Sequence, residues 1–102
     1  MKQNLFSYGT LRQQKVQLEL FGRLLQGTSD TLPGYKTAPI IIEGNTYTIA
    51  VRSLNKTDRI AGSVLEVTEE ELLIADKYES EDYKRVKALL ESGKETWVYV
   101  AV

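Results

Sequence analysis

The sequence predicts an α+β fold whose mostly antiparallel or mixed sheet curls into a small barrel with flanking helices. Three observations carry this. Two β-rich runs flank Glu43-Gly44-Asn45, and a second pair flanks Glu91-Ser92-Gly93-Lys94. Both arrangements are hairpin signatures. Only two segments show helical spacing, so the regular strand–helix alternation of a doubly wound sheet is missing. The 102 residues contain no repeat, low-complexity stretch or linker-like composition, which predicts one domain over residues 1–102.

The elements follow in order. Asn4 to Ser7 is an apolar-leaning run that stops at Tyr8-Gly9, a strand entering a turn. Gln13 to Gln26 places Val16, Leu20 and Leu24 at fourfold spacing, with Phe21 and Leu25 beside them, and predicts an amphipathic helix. Gly22 costs that helix about 1 kcal/mol against alanine and marks where it can break. Gly27 is its expected stop. Leu32-Pro33-Gly34-Tyr35 reads as a turn into extended chain. Ala38 to Ile42 and Tyr47 to Val51 form the first hairpin. Ile60 to Val67 is a further strand in which Gly62 signals a bulge or a close backbone approach. Thr68, with Glu71 three positions later, predicts a capping box opening a helix from Glu69 to about Lys77. Val86 to Leu90 and Thr96 to Val102 close the chain as a hairpin.

Composition narrows the chemistry. Hydrophobic residues make up 42% and charged residues 26%, an ordinary globular balance. Net charge is −1, and the basic residues are scattered, so no nucleic-acid partner is expected. Lys84, Arg85 and Lys87, the nearest thing to a basic cluster, read as a solvated strand end. The absence of Cys and His removes disulfides, thiol nucleophiles, Cys/His metal sites and His-based triads. Acid–base work falls to carboxylate, Lys, Tyr or backbone. The expected metal and cofactor complement is none. The start of the sequence has no apolar signal core, and no apolar run approaches a membrane span, so a cytoplasmic protein without a membrane partner is expected.

Two segments hold candidate site residues. Phe6-Ser7-Tyr8-Gly9-Thr10-Leu11-Arg12 passes from strand through a glycine turn toward a helix. Such a turn can hold a small carboxylate on its free N–H groups, or it can be an ordinary connection with Tyr8 in the core. Asp76-Lys77-Tyr78-Glu79-Ser80, followed by Tyr83-Lys84-Arg85-Val86, is the second. On a continuing helix Glu79 lies seven residues after Leu72, on the inward face. An inward carboxyl among tyrosines would be desolvated and raised toward the range of a general base. Alternatively, Glu79 and Glu81 form a solvated helix end. Tyr78, Tyr83 and Tyr99 either line a pocket or sit half-buried in the sheet. Trp97 reads as core, and Arg12 as a carboxylate partner or an exposed residue.

Together these segments resemble a known family. Tyr8-Gly9-Thr10-Leu11 resembles the Y-G-[ST]-L signature of gamma-glutamylcyclotransferase-like proteins. Ala75 to Glu79, then Tyr83-Lys84-Arg85-Val86, resembles that family's L-D-x-Y-E-G…Y-x-R-V segment. Phe21-Gly22-Arg23, Leu32 to Tyr35, Gly62 to Val67 and Trp97 to Val100 extend the likeness, in the manner of the small bacterial branch. Ala75 and Ser80 depart from the usual leucine and glycine. The resemblance implies a small mixed β-barrel that converts a γ-glutamyl amide into 5-oxoproline and a free amine without a cofactor. It implies Glu79 as the acid–base, Tyr8, Gly9, Thr10 and Leu11 as the head-group loop, and Tyr83 and Tyr99 as pocket residues. The partner it implies is a small γ-glutamyl compound. The rival expectation is a non-catalytic module binding such a carboxylate on the same fold.

Overall fold

The structure is a computed structural model that describes residues 2–102. The elements are β1 (Lys2–Ser7), a 3₁₀ turn (Thr10–Arg12), α1 (Gln14–Phe21), β2 (Gly27–Pro33), β3 (Tyr35–Ile42), β4 (Asn45–Arg52), β5 (Arg59–Thr68), α2 (Glu69–Tyr78), β6 (Tyr83–Leu89) and β7 (Glu95–Ala101). The α+β class matches the sequence prediction. Five strands form one sheet in the order β2-β5-β1-β7-β6, and β3 and β4 form a separate two-stranded ribbon. The β1–β7 pairing is parallel, with Leu5 opposite Trp97, while the sheet's other pairings are antiparallel.

The sheet does not close into a barrel. Its edges, β2 and β6, approach at one end only. There the Glu91 N–H, just past β6, donates to the Thr31 carbonyl at 3.0 Å, and Ser92 Oγ donates to Asp30. Closure requires a continuous ladder between first and last strands. Pro33 lacks an N–H on one edge, and Lys84 and Lys87 place charge on the other.

Side-chain alternation along the central strands builds two cores, because successive residues face opposite sides of a sheet. Phe6, Val64, Val98 and Val100 face the ribbon and pack with Tyr35 and Ala50. Leu5, Leu65, Val67 and Tyr99 face the helices and pack with Leu72 and Ala75. Helices therefore cover one face and the ribbon the other.

Two local expectations change in detail and a third holds. The helix expected over 13–26 ends at Phe21, because Gly22 takes the left-handed conformation (φ 70°) and caps it. Residues 27–33 then form β2, an edge strand whose Gly-Thr-Ser-Asp-Thr start carries no apolar pattern. The capping box forms as expected, with the Glu71 N–H donating to Thr68 Oγ1 at 3.1 Å and the Thr68 N–H to Glu71 Oε1 at 2.9 Å. Glu71 also receives Arg23 Nε and Nη2, both at 2.7 Å, which fastens the segment after α1 to the start of α2. Among the described residues no helix is long and apolar enough to cross a membrane.

Gly62 sits where β5 passes close against the end of β1. A Cβ there would stand 2.5 Å from the Ser7 carbonyl oxygen and 2.7 Å from Phe6 Cζ. Neither the backbone oxygen nor the fully buried ring can retreat cheaply. Gly62→Ala should therefore lower unfolding free energy by about 1–3 kcal/mol, the usual cost of overpacking. Urea denaturation checks this, and unchanged stability would contradict the close approach.

Candidate active site

The parallel β1–β7 pairing decides what meets at the site. It places the end of β1 beside β7, and the end of α2 leads directly into β6, the other neighbour of β7. The loop after β1, the end of α2 and the tip of the β3–β4 ribbon surround a cavity of about 760 Å³. Tyr8, Gly9, Thr10, Leu11, Glu79, Tyr83 and Tyr99 all line it. The structure thus brings together every site residue expected from the sequence.

The loop is held from several sides. Arg12 folds back on it, donating from Nη2 to the Tyr8 carbonyl at 3.0 Å, and among the described residues it pairs with no carboxylate. Thr10 Oγ1 and the Tyr78 hydroxyl share a hydrogen bond of 2.8 Å that ties the loop to α2. Gln17, buried in α1, donates to the Leu11 carbonyl at 2.8 Å and accepts from the Leu25 N–H at 2.9 Å. Among the described residues, the Thr10 and Leu11 N–H groups meet no protein acceptor, as expected at the start of a helical turn.

The tyrosines are walls whose hydroxyls are already engaged. Tyr8 donates to the Tyr99 carbonyl at 2.7 Å and accepts from the Ala50 N–H at 2.9 Å. Tyr83 donates to the Thr48 carbonyl at 2.9 Å. Tyr99 donates to Asp76 Oδ1 at 2.6 Å. Burial leads the causes that hold all three phenols above the ordinary tyrosine range, and nearby Glu79 adds to each.

Glu79 is placed differently from the sequence expectation. α2 ends at Tyr78, and Glu79 is its C-cap in extended conformation (φ −73°, ψ 144°), with its N–H on the Ala75 carbonyl. Leaving the helix still carries the side chain into the cavity. The Glu79 carboxyl makes no side-chain hydrogen bond or ion pair among the described residues, and burial alone pushes it up to about 7. A carboxyl at that value can both take and give a proton near neutral pH.

Its neighbour Asp76 is engaged instead. Arg85 donates to it from Nε (2.7 Å) and Nη2 (3.0 Å), and lies 4.3 Å from the centre of the Trp97 ring. Arg85 is therefore not part of a solvated strand end. The sequence reading also missed the ribbon's contribution, since Thr46, Tyr47 and Thr48 wall the cavity. No local signal marks them, because only the tertiary placement of β4 brings them there.

A family model described as gamma-glutamyl cyclotransferase, AIG2-like, matches residues 5–102. AIG2-like protein D of Arabidopsis thaliana is 32% identical over 83 residues, covering 80% of this chain and 52% of that protein. The chain thus spans about half the length of this curated relative. A solution structure from Arabidopsis thaliana superposes with a TM-score of 0.80 at 25% identity, over 100% of this chain and 63% of the other. A solved gamma-glutamyl cyclotransferase superposes with a TM-score of 0.77 at 15% identity, over 100% of this chain and 68% of that one, and shares the fold.

A buried, unpaired carboxyl leaves a mark on stability. Folded Glu79 titrates at about 7, against an ordinary 4.5 when unfolded. Between those values the folded state holds more protons, so its stability falls as pH rises through this window and levels off above it. Glu79→Gln removes the penalty. The variant should match the native protein near pH 4 and exceed it at pH 8 by roughly 1–3 kcal/mol. Denaturation of both proteins at the two pH values checks this, and an equal difference at both would show that Glu79 is not desolvated.

Proposed function

Because the chain belongs to the gamma-glutamyl cyclotransferase, AIG2-like family, we propose that it converts a γ-glutamyl amide into 5-oxoproline and a free amine, with Glu79 as the general acid–base. The observation that carries this reading is the unpaired Glu79 carboxyl, raised to about 7, in the cavity that faces the Tyr8–Leu11 loop.

The reaction is an intramolecular acyl transfer. The substrate's α-amine attacks its own γ-carbonyl carbon, forming the ring C–N bond. The original amide C–N bond then breaks. Glu79 removes a proton from the attacking amine and returns one to the departing nitrogen, so the enzyme ends as it began. Holding amine and carbonyl in one geometry supplies much of the acceleration. The free N–H groups of Thr10 and Leu11 are suited to hold the α-carboxylate or the developing oxyanion. Gly9 stands in open space: a Cβ placed there would meet nothing within 4 Å. The rings of Tyr8, Tyr83 and Tyr99 exclude water around the reacting atoms, while their hydroxyls hold the walls in place.

Release of 5-oxoproline from a panel of γ-glutamyl compounds tests the proposal. Native protein should release it, and Glu79→Gln should lose roughly 10²–10⁴-fold in kcat/KM, the usual worth of a general base. The native kcat/KM should rise with pH through a limb near 7, since Glu79 must be ionised to accept the proton. Undiminished turnover by folded Glu79→Gln would rule out its assignment. Ligand-induced thermal stabilisation with no turnover from any compound would support a binding module instead.

A further inference from the structure

Among the described residues the buried polar side chains are Ser7, Gln17, Glu71 and Thr96. Three of them are engaged inside the fold. Gln17 bonds the Leu11 carbonyl and the Leu25 N–H, and Glu71 receives Arg23 and the Thr68 N–H. Thr96 Oγ1 donates to the Trp97 carbonyl at 3.0 Å. Ser7 is different. It is only 6% exposed, and its Oγ accepts one long hydrogen bond, from the Gly9 N–H at 3.4 Å. Its own proton meets no protein acceptor among the described residues. Buried hydroxyls normally donate, and one left without an acceptor costs free energy.

Of these four side chains, Ser7 is the one that lines the cavity. It closes β1 on the same face as Leu5, and its hydroxyl stands beside the loop that begins at Tyr8 and Gly9. A serine hydroxyl rotates freely, so its proton can turn toward a ligand there. Glu79 does not take that proton, since its carboxyl makes no side-chain hydrogen bond among the described residues. Arg12 is the only cation among the described residues lining the cavity, and its guanidinium is bound to the Tyr8 and Gly9 carbonyls. The hydroxyls of Tyr8, Tyr83 and Tyr99 all donate to protein acceptors. A negatively charged ligand therefore meets no free cation and must be held by neutral donors.

We propose that Ser7 is a substrate-binding residue whose hydroxyl donates to the α-carboxylate of the γ-glutamyl head group. The identity of that carboxylate rests on the reaction proposed above, while the free donor does not. Ser7 adds a side-chain donor to the Thr10 and Leu11 N–H groups, and a hydrogen bond to a charged acceptor is among the stronger ones. Closing a ligand over Ser7 displaces the water that would otherwise accept its proton. A ligand without an acceptor at that point loses affinity for the same reason.

The test is an NMR chemical-shift titration of native protein and Ser7→Ala with 5-oxoproline, which keeps the α-carboxylate. Binding is read without turnover, so the two proposals fail separately. Binding through Ser7 with no 5-oxoproline released from any γ-glutamyl compound would contradict the reaction alone. Turnover with equal affinity in Ser7→Ala would contradict this inference alone. The variant should bind 5-oxoproline roughly 10–100-fold more weakly, the usual worth of a hydrogen bond to a charged group. Its urea midpoint without ligand should not fall, because the hydroxyl makes only one long hydrogen bond within the fold. Weaker binding at an undiminished midpoint supports the inference. Unchanged affinity, or no binding to native protein, overturns it. A lowered midpoint or a variant that does not fold also overturns it, since either makes Ser7 a structural residue.

Discussion

One phenol hydroxyl holds the two sheets to each other. Tyr8 donates to the Tyr99 carbonyl in the main sheet and accepts from the Ala50 N–H in the ribbon. Tyr8 directly follows β1, so this side chain joins the start of the loop to both sheet and ribbon. Losing the hydroxyl would leave a half-buried carbonyl and N–H without partners, a cost of about 1–3 kcal/mol for each group kept from water. Tyr83 makes a second link to the same ribbon strand through the Thr48 carbonyl. The cavity is the space these links leave open. Its walls are therefore as rigid as the backbone they are bonded to, and a ligand would meet tyrosine rings more readily than tyrosine hydroxyls.

Against that rigid frame, the carboxyl groups of Asp76 and Glu79 show how environment divides one chemistry into two roles. Asp76 is partly buried yet held in its charged form, because two strong donors meet it. Glu79 is partly buried and meets none, so desolvation decides and its neutral form competes at neutral pH. Environments that push neighbouring carboxyl groups apart separate a group that anchors from a group that can exchange protons.

Local chemistry made part of this legible in the sequence. The Thr68–Glu71 capping box, both hairpins and the tight position of Gly62 each depend on residues close in the chain or on glycine itself, and each formed. Both site segments were visible for the same reason, and the family resemblance implied their meeting. What stayed hidden depends on tertiary partners. β2 gains its strand state from pairing with β5, not from its own polar start. Thr46 to Thr48 reach the site because the ribbon packs over the sheet. The Asp76–Tyr99 bond spans 23 residues and the Tyr8–Tyr99 bond 91, distances over which no spacing rule operates. The open barrel is a matter of degree: the sheet curls enough for β2 and the turn after β6 to touch, but not enough to pair.

The end of α2 explains why Glu79 can stay unpaired. Had the helix continued, the residue would have lain on a face already packed by Leu72 and Ala75. Stopping at Tyr78 turns the backbone to an extended conformation and sends the chain toward β6 through a short turn, in which the Tyr83 N–H donates to the Ser80 carbonyl at 3.1 Å. The carboxyl then projects into the cavity from the C-terminal end of a helix. The Ser80 hydroxyl supports this turn by accepting from the Asp82 N–H at 3.3 Å. That hydrogen bond holds the chain as it leaves α2 just after Glu79.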